Sequence, residues 1–404
     1  MITVDEALSI VLGQVEALGA ETVPLEQANA RILAEDVRAD IDLPPFDRAR
    51  MDGYAVRSAD VTTAPVSLNL IGEIAAGAKF PGKLNPGEAV KIFTGAPVPE
   101  GADGVQKVEV TRSDGRTVEI SEPVKPGQFI TPRASEVAAG DLIAERGCEI
   151  RPAVMAVLAS FGYAEVKVGR RPRVAVLSTG SELIEVSAKP SGAQIRNSNS
   201  YALASYAARS GATVDLLGTV EDTHQATVKA LLDAAEGRDM VITSGGVSMG
   251  DYDLVKGALK EMGAEVYFEK VIIRPGKPTV FARRDQTYFF GLPGNPVSTS
   301  VTFNVFARPA IRKMQGERNP LLPTVRAVLA RPVKDMSGRR SYLPARLVIE
   351  NGRALAEPLK WGGSSDLVAF MQSDALIIVR EESHDLAEGE AVDVVLLDTI
   401  AERR

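Results

Sequence analysis

The feature that most restricts this chain is a regular alternation between residues 173 and 263. RPRVAVLSTG carries a short apolar run at 174–177. SNSYALASYAARSG has helical spacing, TVDLLGTV is apolar and β-branched again, HQATVKALLDAAEG is helical, and DMVITSGG is a third apolar run, followed after a loop by DLVKGALKEMG at helical spacing. Short buried runs alternating with helices of this length predict crossover connections, and therefore a parallel sheet in a three-layer α/β domain. Ligands of open α/β sheets bind beyond the carboxyl ends of the strands, near a topological switch. Two loops that follow strands here, STGSEL at 178–183 and TSGGVSMGDYD at 243–253, are rich in glycine, hydroxyls and acid.

The second loop raises a chemical question. Glycines at a strand-to-helix turn let backbone N–H groups approach an anion, and the helix dipole favours negative charge there. Asp251 and Asp253 would repel that anion. Either one of them caps the following helix, or a divalent cation lies between the carboxylates and a phosphate-bearing ligand, since Mg²⁺ takes one or two protein carboxylates plus phosphate oxygens.

The 404 residues exceed one ordinary core and predict about two to four domains. With 45% hydrophobic and 25% charged residues the composition is that of a soluble globular protein. A net charge of −7 argues against a nucleic-acid partner. One cysteine, Cys148, cannot form an intramolecular disulfide, and with His224 and His384 as the two histidines a Cys/His zinc site is not expected. The N-terminal MITVDEALSI lacks the basic and apolar regions of a signal peptide, and no run of about 18 apolar residues is present. These features predict a cytoplasmic protein without a membrane partner.

Around the α/β domain the pattern changes. Thr3 and Glu6 read as a capping box, followed by apolar groups at helical spacing from Val4 to Leu18. SLNLIGEI, AVKIFTG, VQKVEV and TVEISEPV, separated by turn residues, read as a β-rich module, and RAVLARPV, SYLPARLVI, DALIIV and AVDVVLL as a compact C-terminal β domain. The expected division is an N-terminal helical and linker segment (1–40 with 138–170), the inserted β module (41–137), the α/β domain (171–318) and a barrel-like C-terminal domain (319–404).

Four further stretches have ordinary structural readings. In PPFDRARMDGYAV, Asp52-Gly53 supplies a turn. In KIFTGAPVPEGADGV, Thr94 is a local hydrogen bonder. IIRPGKP is a strand end, with Arg274 and Lys277 on a solvated face. GLPGNPVS enters a helix with Asn295 as N-cap and Pro296 first in the helix.

Taken together, PPFDRARMDGYAV, IFTGAPVPEGADGV, STGSEL, QIRNSNSYAL, TSGGVSMGDYD, RPGKP and GLPGNPVS resemble, in the same order, the molybdopterin molybdotransferases: the MoeA proteins and the corresponding domain of gephyrin. The resemblance implies a molybdopterin-binding type of α/β domain, and insertion of molybdate, or tungstate, into adenylylated molybdopterin with Mg²⁺-dependent release of AMP. It implies catalytic roles for Asp52, Thr94, Glu182 and Asp253, with Glu182 and Asp251 on the metal. Cofactor binding falls to Ser178, Thr179, Gly180, Ser244, Gly245, Gly246, Ser248, Asn295 and Pro296. Arg274, Lys277, Pro278 and Ser365 match the oxyanion positions.

The sequence departs from the family pattern in three places. Arg274 stands where many relatives have lysine. Pro344 stands where relatives often have arginine, with Arg339 retained and Arg346 two residues on as a substitute. Val137 stands where aspartate often follows the glutamate matching Glu136. The resemblance further implies a homodimer in which Asp52 and Glu182 of one working site come from different chains, and encounters with a molybdopterin adenylyltransferase and with molybdoenzyme acceptors. Two other readings are a gephyrin-type scaffold and a molybdopterin adenylyltransferase.

Overall fold

A computed structural model describes residues 1–75, 77–247, 254–334, 337–383 and 385–397. The chain forms two compact units, one from residues 1–35, 146–152 and 165–404, the other from 36–145 and 153–164.

The first unit contains a six-stranded sheet in the order Thr213–Val220, Arg173–Thr179, Met240–Ser244, Thr287–Leu292, Val280–Arg284, Glu265–Phe268. Alternate residues of each strand divide between two cores. Val174, Val176, Met240, Ile242 and Phe290 pack on one face with Val4, Ala7 and Val11 of the N-terminal helix, while Ala175, Leu177, Val241 and Phe289 pack on the other with Leu231 and Ala258. The three-layer arrangement is therefore the consequence of strands buried on both sides. The first four strands are mutually parallel, as expected, but Val280–Arg284 runs antiparallel to both of its neighbours, Thr287–Leu292 and Glu265–Phe268. The reason is local: Arg284 pairs with Thr287 across the two-residue turn Asp285-Gln286, with Asp285 at φ 53°, leaving no room for a crossover helix.

The N-terminal helix, Val4–Gln14, begins with the expected capping box, Thr3 accepting from the Glu6 N–H at 3.2 Å and Glu6 accepting from the Thr3 N–H at 2.7 Å. It stops short of Leu18. The buried Tyr288 hydroxyl donates to the Gln14 carbonyl at 2.8 Å and accepts from the Glu16 N–H at 3.3 Å, and Val15 turns extended. A side chain from the sheet thus satisfies groups left open at the helix end.

The C-terminal strands Arg340–Glu350, Arg353–Pro358, Thr324–Leu329, Ala391–Leu396 and Ala375–Val379 close on one another into a five-stranded barrel filled by Leu329, Leu343, Ala345, Leu347, Ile377 and Val394. Arg353–Pro358 has no counterpart in the sequence reading. Its signal is Asn351-Gly352, both at positive φ (49° and 73°) between the paired Glu350 and Arg353, the geometry of a two-residue hairpin. Ile273–Arg274 pairs with Arg340–Glu350, so the RPGKP loop starts from a short strand attached to the barrel.

The second unit holds another six-stranded sheet, ordered Gly104–Lys107, Gly53–Val56, Glu88–Ile92, Val66–Ile74, Thr117–Ile120, Thr111–Ser113. Gly53 opens its strand, where a Cβ would come within 1.9 Å of the Gln106 carbonyl oxygen. Close backbone approach, rather than the turn geometry expected from Asp52-Gly53, explains this glycine. Val137 pairs backbone to backbone with Leu43 (2.8 and 3.1 Å), and Glu136 binds Arg48 at 2.7 Å, so this loop is held without an aspartate at 137.

Candidate active site

Three parallel strands end side by side, and their exits form a cavity of about 560 Å³. Arg173–Thr179 delivers Thr179, Gly180 and Glu182; Met240–Ser244 delivers Ser244, Gly245 and Gly246; Thr287–Leu292 delivers Pro293, Gly294, Asn295 and Pro296. Pro278 and Ser365 complete one wall. Ten of the residues singled out in the sequence therefore share one space: Thr179, Gly180, Glu182, Ser244, Gly245, Gly246, Pro278, Asn295, Pro296 and Ser365.

The glycines are required by contact as well as conformation. Gly245 and Gly246 have φ of +91° and +67°, and a Cβ on them would meet the Thr179 carbonyl oxygen at 2.5 Å and the Thr179 hydroxyl at 2.7 Å. Gly180, at φ +155°, brings its Cα beneath the Glu182 carboxylate, 2.7 Å from where a Cβ would stand. The Thr179 hydroxyl is buried and takes no hydrogen bond from a described residue, a costly state for a polar group.

Ser178 lies behind this surface. It is fully buried, and its hydroxyl is shared with Ser200 at 2.7 Å and Asn197 at 3.3 Å, bonds that fix the strand exit. Asn295 precedes its helix as expected but does not cap it with its side chain; its amide donates instead to the Ser364 hydroxyl at 2.9 Å. The Ser364 carbonyl accepts from the Val297 N–H at 3.0 Å, and Asp366 accepts from the N–H groups of Gly362 (2.8 Å) and Ala369 (3.1 Å). Those two bonds hold the Asp366 carboxyl below its usual range and pin the loop that carries Ser365.

The cationic residues separate. Arg274 and Lys277 share a loop with Pro278 but do not line the cavity; the Lys277 carbonyl accepts from Val271 and Thr279. Arg346 faces outward from the barrel and donates to the Gln372 carbonyl and side chain, both at 3.0 Å. Arg339 donates to the Ile273 carbonyl at 3.4 Å. Ser248, Asp251 and Asp253 lie outside the described residues.

Several cavity residues were given no role from sequence, Asp222 and Asn199 among them. Asp222 follows the strand Thr213–Val220 and accepts from the Ser181 N–H at 3.3 Å; the signal was an acidic pair at a strand exit beside STGSEL. Asn199, in the first turn of the helix Asn199–Arg209, joins two of the loops.

In the second unit, Gly53 pairs with Ile92, which places Asp52 and Thr94 at the same end of neighbouring strands. One oxygen of the exposed Asp52 carboxylate accepts both the Thr94 N–H (2.8 Å) and the Thr94 hydroxyl (2.7 Å). The backbone bond first, then the hydroxyl, holds its pKa below the ordinary carboxylate value.

Among the described residues no group of three or more His, Cys, Asp or Glu is placed to hold a metal, and no helix is long and apolar enough to cross a membrane. Glu182 and Asp222, which share the cavity, are two carboxylates of the kind Mg²⁺ accepts alongside phosphate oxygens and water.

A cavity at the carboxyl ends of parallel strands, floored by glycines and hydroxyls and edged by acid, defines an α/β binding domain for an anionic ligand, here carried with a barrel and a β module. The chain belongs to the MoeA family of molybdopterin molybdenumtransferases. Residues 2–162 match the MoeA N-terminal region (domain I and II), 175–313 the family described as "Probable molybdopterin binding domain", and 326–397 the MoeA C-terminal region (domain IV). The molybdopterin molybdenumtransferase of Staphylococcus aureus is 34% identical over 404 residues, covering 99% of this chain and 96% of its own. That of Haemophilus influenzae is 36% identical over 398 residues, 98% of each chain. The crystal structure of a molybdopterin biosynthesis moeA protein from Pyrococcus horikoshii superposes with a TM-score of 0.84 at 30% identity, covering 98% of this chain and all of that one.

Proposed function

We infer that the chain is an enzyme of molybdenum cofactor biosynthesis that inserts molybdenum into molybdopterin, with molybdopterin and molybdate as its substrates. The observation that carries this is the agreement of a full-length family match with a cavity whose glycines, hydroxyls and carboxylates suit a phosphate-bearing ligand. The match along the whole chain, flanking β domains included, favours the transferase over a molybdopterin adenylyltransferase.

In finer detail, the substrate is adenylylated molybdopterin, the oxyanion is molybdate or tungstate, and AMP is released as the diphosphate link is hydrolysed. Mg²⁺ would be held by Glu182 and Asp222, with Asp251 as a further carboxylate, and would neutralise charge on the diphosphate oxygens. Ser244, Gly245 and Gly246 bind the phosphates. Arg274, Lys277 and Ser365 receive the oxyanion, whose dianionic charge favours cations and hydroxyl donors. The bonds that lower the Asp52 pKa also weaken it as a base, which supports positioning over proton abstraction.

The test is to incubate purified protein with adenylylated molybdopterin, molybdate and Mg²⁺ and to assay AMP. Release of AMP in step with molybdenum incorporation is expected; neither product would overturn the assignment. The assembly proposed is a homodimer. Co-expressed Asp52→Ala and Glu182→Ala chains, each inactive alone, recover AMP release in the doubly tagged species if sites are shared between chains, and stay inactive if they are not.

A further inference from the structure

Asn199 opens the helix Asn199–Arg209 just after Ser198, is half-buried, and forms no helix cap. Its amide nitrogen donates instead to the Ser244 hydroxyl at 2.7 Å and to the Gly294 carbonyl at 2.6 Å. Ser244 in turn donates to the Pro293 carbonyl at 3.4 Å.

These bonds connect three separate strand exits. Asn199 belongs to the segment following Arg173–Thr179, Ser244 ends Met240–Ser244, and Gly294 follows Thr287–Leu292. Both amide hydrogens are spent, so the side-chain orientation is fixed: turned over, its oxygen would face the Gly294 carbonyl, acceptor against acceptor. The oxygen Oδ1 then takes no bond from a described residue while Asn199 lines the cavity. It is left as an acceptor for an N–H or O–H of the substrate.

We propose that Asn199 is a positioning residue that fastens the Ser244-Gly245-Gly246 loop to the Pro293-Gly294 loop and so sets the geometry in which the molybdopterin substrate is held. This rests on the transferase reading for the identity of the ligand, but the fastening itself does not. Two glycines at positive φ leave the first loop little stiffness of its own, and a link between loops supplies it.

The experiment compares wild type with Asn199→Ala and Asn199→Asp. Asn199→Asp keeps the shape and an oxygen toward the cavity but places a second oxygen against the Gly294 carbonyl. Amide hydrogen exchange is followed at 244–247 and at Gly294 and Asn295, with 173–177 in the buried sheet as reference. Both variants are expected to exchange about tenfold faster in the two loops, the scale of losing two hydrogen bonds, with the sheet unchanged. In turnover assays Asn199→Ala raises the KM for adenylylated molybdopterin and leaves the half-saturating molybdate concentration unchanged. It adds no further defect to Ser244→Ala, as expected of one shared link. Unchanged loop exchange in both variants, or equal acceleration in the sheet, would overturn the proposal. If wild type releases no AMP while the exchange pattern is as described, the transferase reading fails and the fastening role stands.

Discussion

In the α/β domain, Glu182 rests over the Cα of Gly180 and its carboxylate takes no bond from a described residue, whereas in the β module Asp52 has one oxygen saturated by the N–H and hydroxyl of Thr94. The first acid stands at a cavity mouth beside Asp222, amid glycine loops whose conformation is set by close contact with Thr179. The second is made by the register of two strands, exposed, and biased toward its charged form by its own neighbour. The difference teaches that a free carboxylate in a cavity suits a cation that arrives with a ligand, while a carboxylate satisfied in advance suits fixed placement of charge.

The largest expected effect is on Glu182 and Asp222. Glu182→Ala and Asp222→Ala each lower AMP release by at least about a hundredfold, the scale of removing a positioned electrostatic group, while thermal unfolding shifts little because loop carboxylates add little stability. Equal activity of both variants at saturating Mg²⁺ would remove the contrast with Asp52. Next comes Gly245→Ala. Its Cβ meets the Thr179 carbonyl at 2.5 Å at a φ of +91°, so a loss of about 1–3 kcal/mol in unfolding free energy is expected, together with loss of activity. A fully stable Gly245→Ala protein would show that the loop is not held by this contact.

Lys277→Ala should raise the half-saturating molybdate concentration by roughly tenfold, the value of one charge-assisted hydrogen bond, with nucleotide affinity unchanged. An effect on nucleotide alone would move Lys277 to the phosphates. Thr94→Ala sharpens the other side of the comparison. The native Asp52 pKa lies below the unfolded value, so its anionic form is favoured, and that contribution is present above the unfolded pKa and lost as pH falls through the native one. Removing the hydroxyl moves the acidic limb of the pH–rate profile upward, and an unmoved limb would mean that Asp52 does not report on turnover. The smallest effect belongs to Arg346→Ala: with Arg346 tied to Gln372, molybdate affinity stays unchanged and stability moves by roughly 0.5 kcal/mol or less.

Two loops of the cavity were legible because strand exits have a grammar. Apolar runs mark where strands end, and the glycines, hydroxyls and acids that follow them marked STGSEL and TSGGVSMGDYD as candidate site loops, while the roles of Glu182, Gly245 and Gly246 came from the family resemblance. Asp222 was missed because an acid just before Thr223 reads as part of a helix entry, and Thr223 does cap the helix His224–Ala235. Asn199 was missed for a different reason: its partners come from two strand ends distant in sequence. The antiparallel edge depended on the tight turn Asp285-Gln286, which lacks a glycine, and the fifth barrel strand on Asn351-Gly352, whose signal was present. The outward direction of Arg346 follows from strand parity once Leu343, Ala345 and Leu347 are known to point inward.

The most direct test of the contrast between the two acids is the equilibrium affinity for adenylylated molybdopterin, measured with Mg²⁺ and without molybdate on wild type, Glu182→Gln and Asp52→Asn. The account predicts that Glu182→Gln weakens binding by at least about tenfold, within the scale of a charge-assisted contact, while Asp52→Asn binds as wild type does and fails in turnover. Asp52→Asn losing affinity while Glu182→Gln binds normally would contradict it.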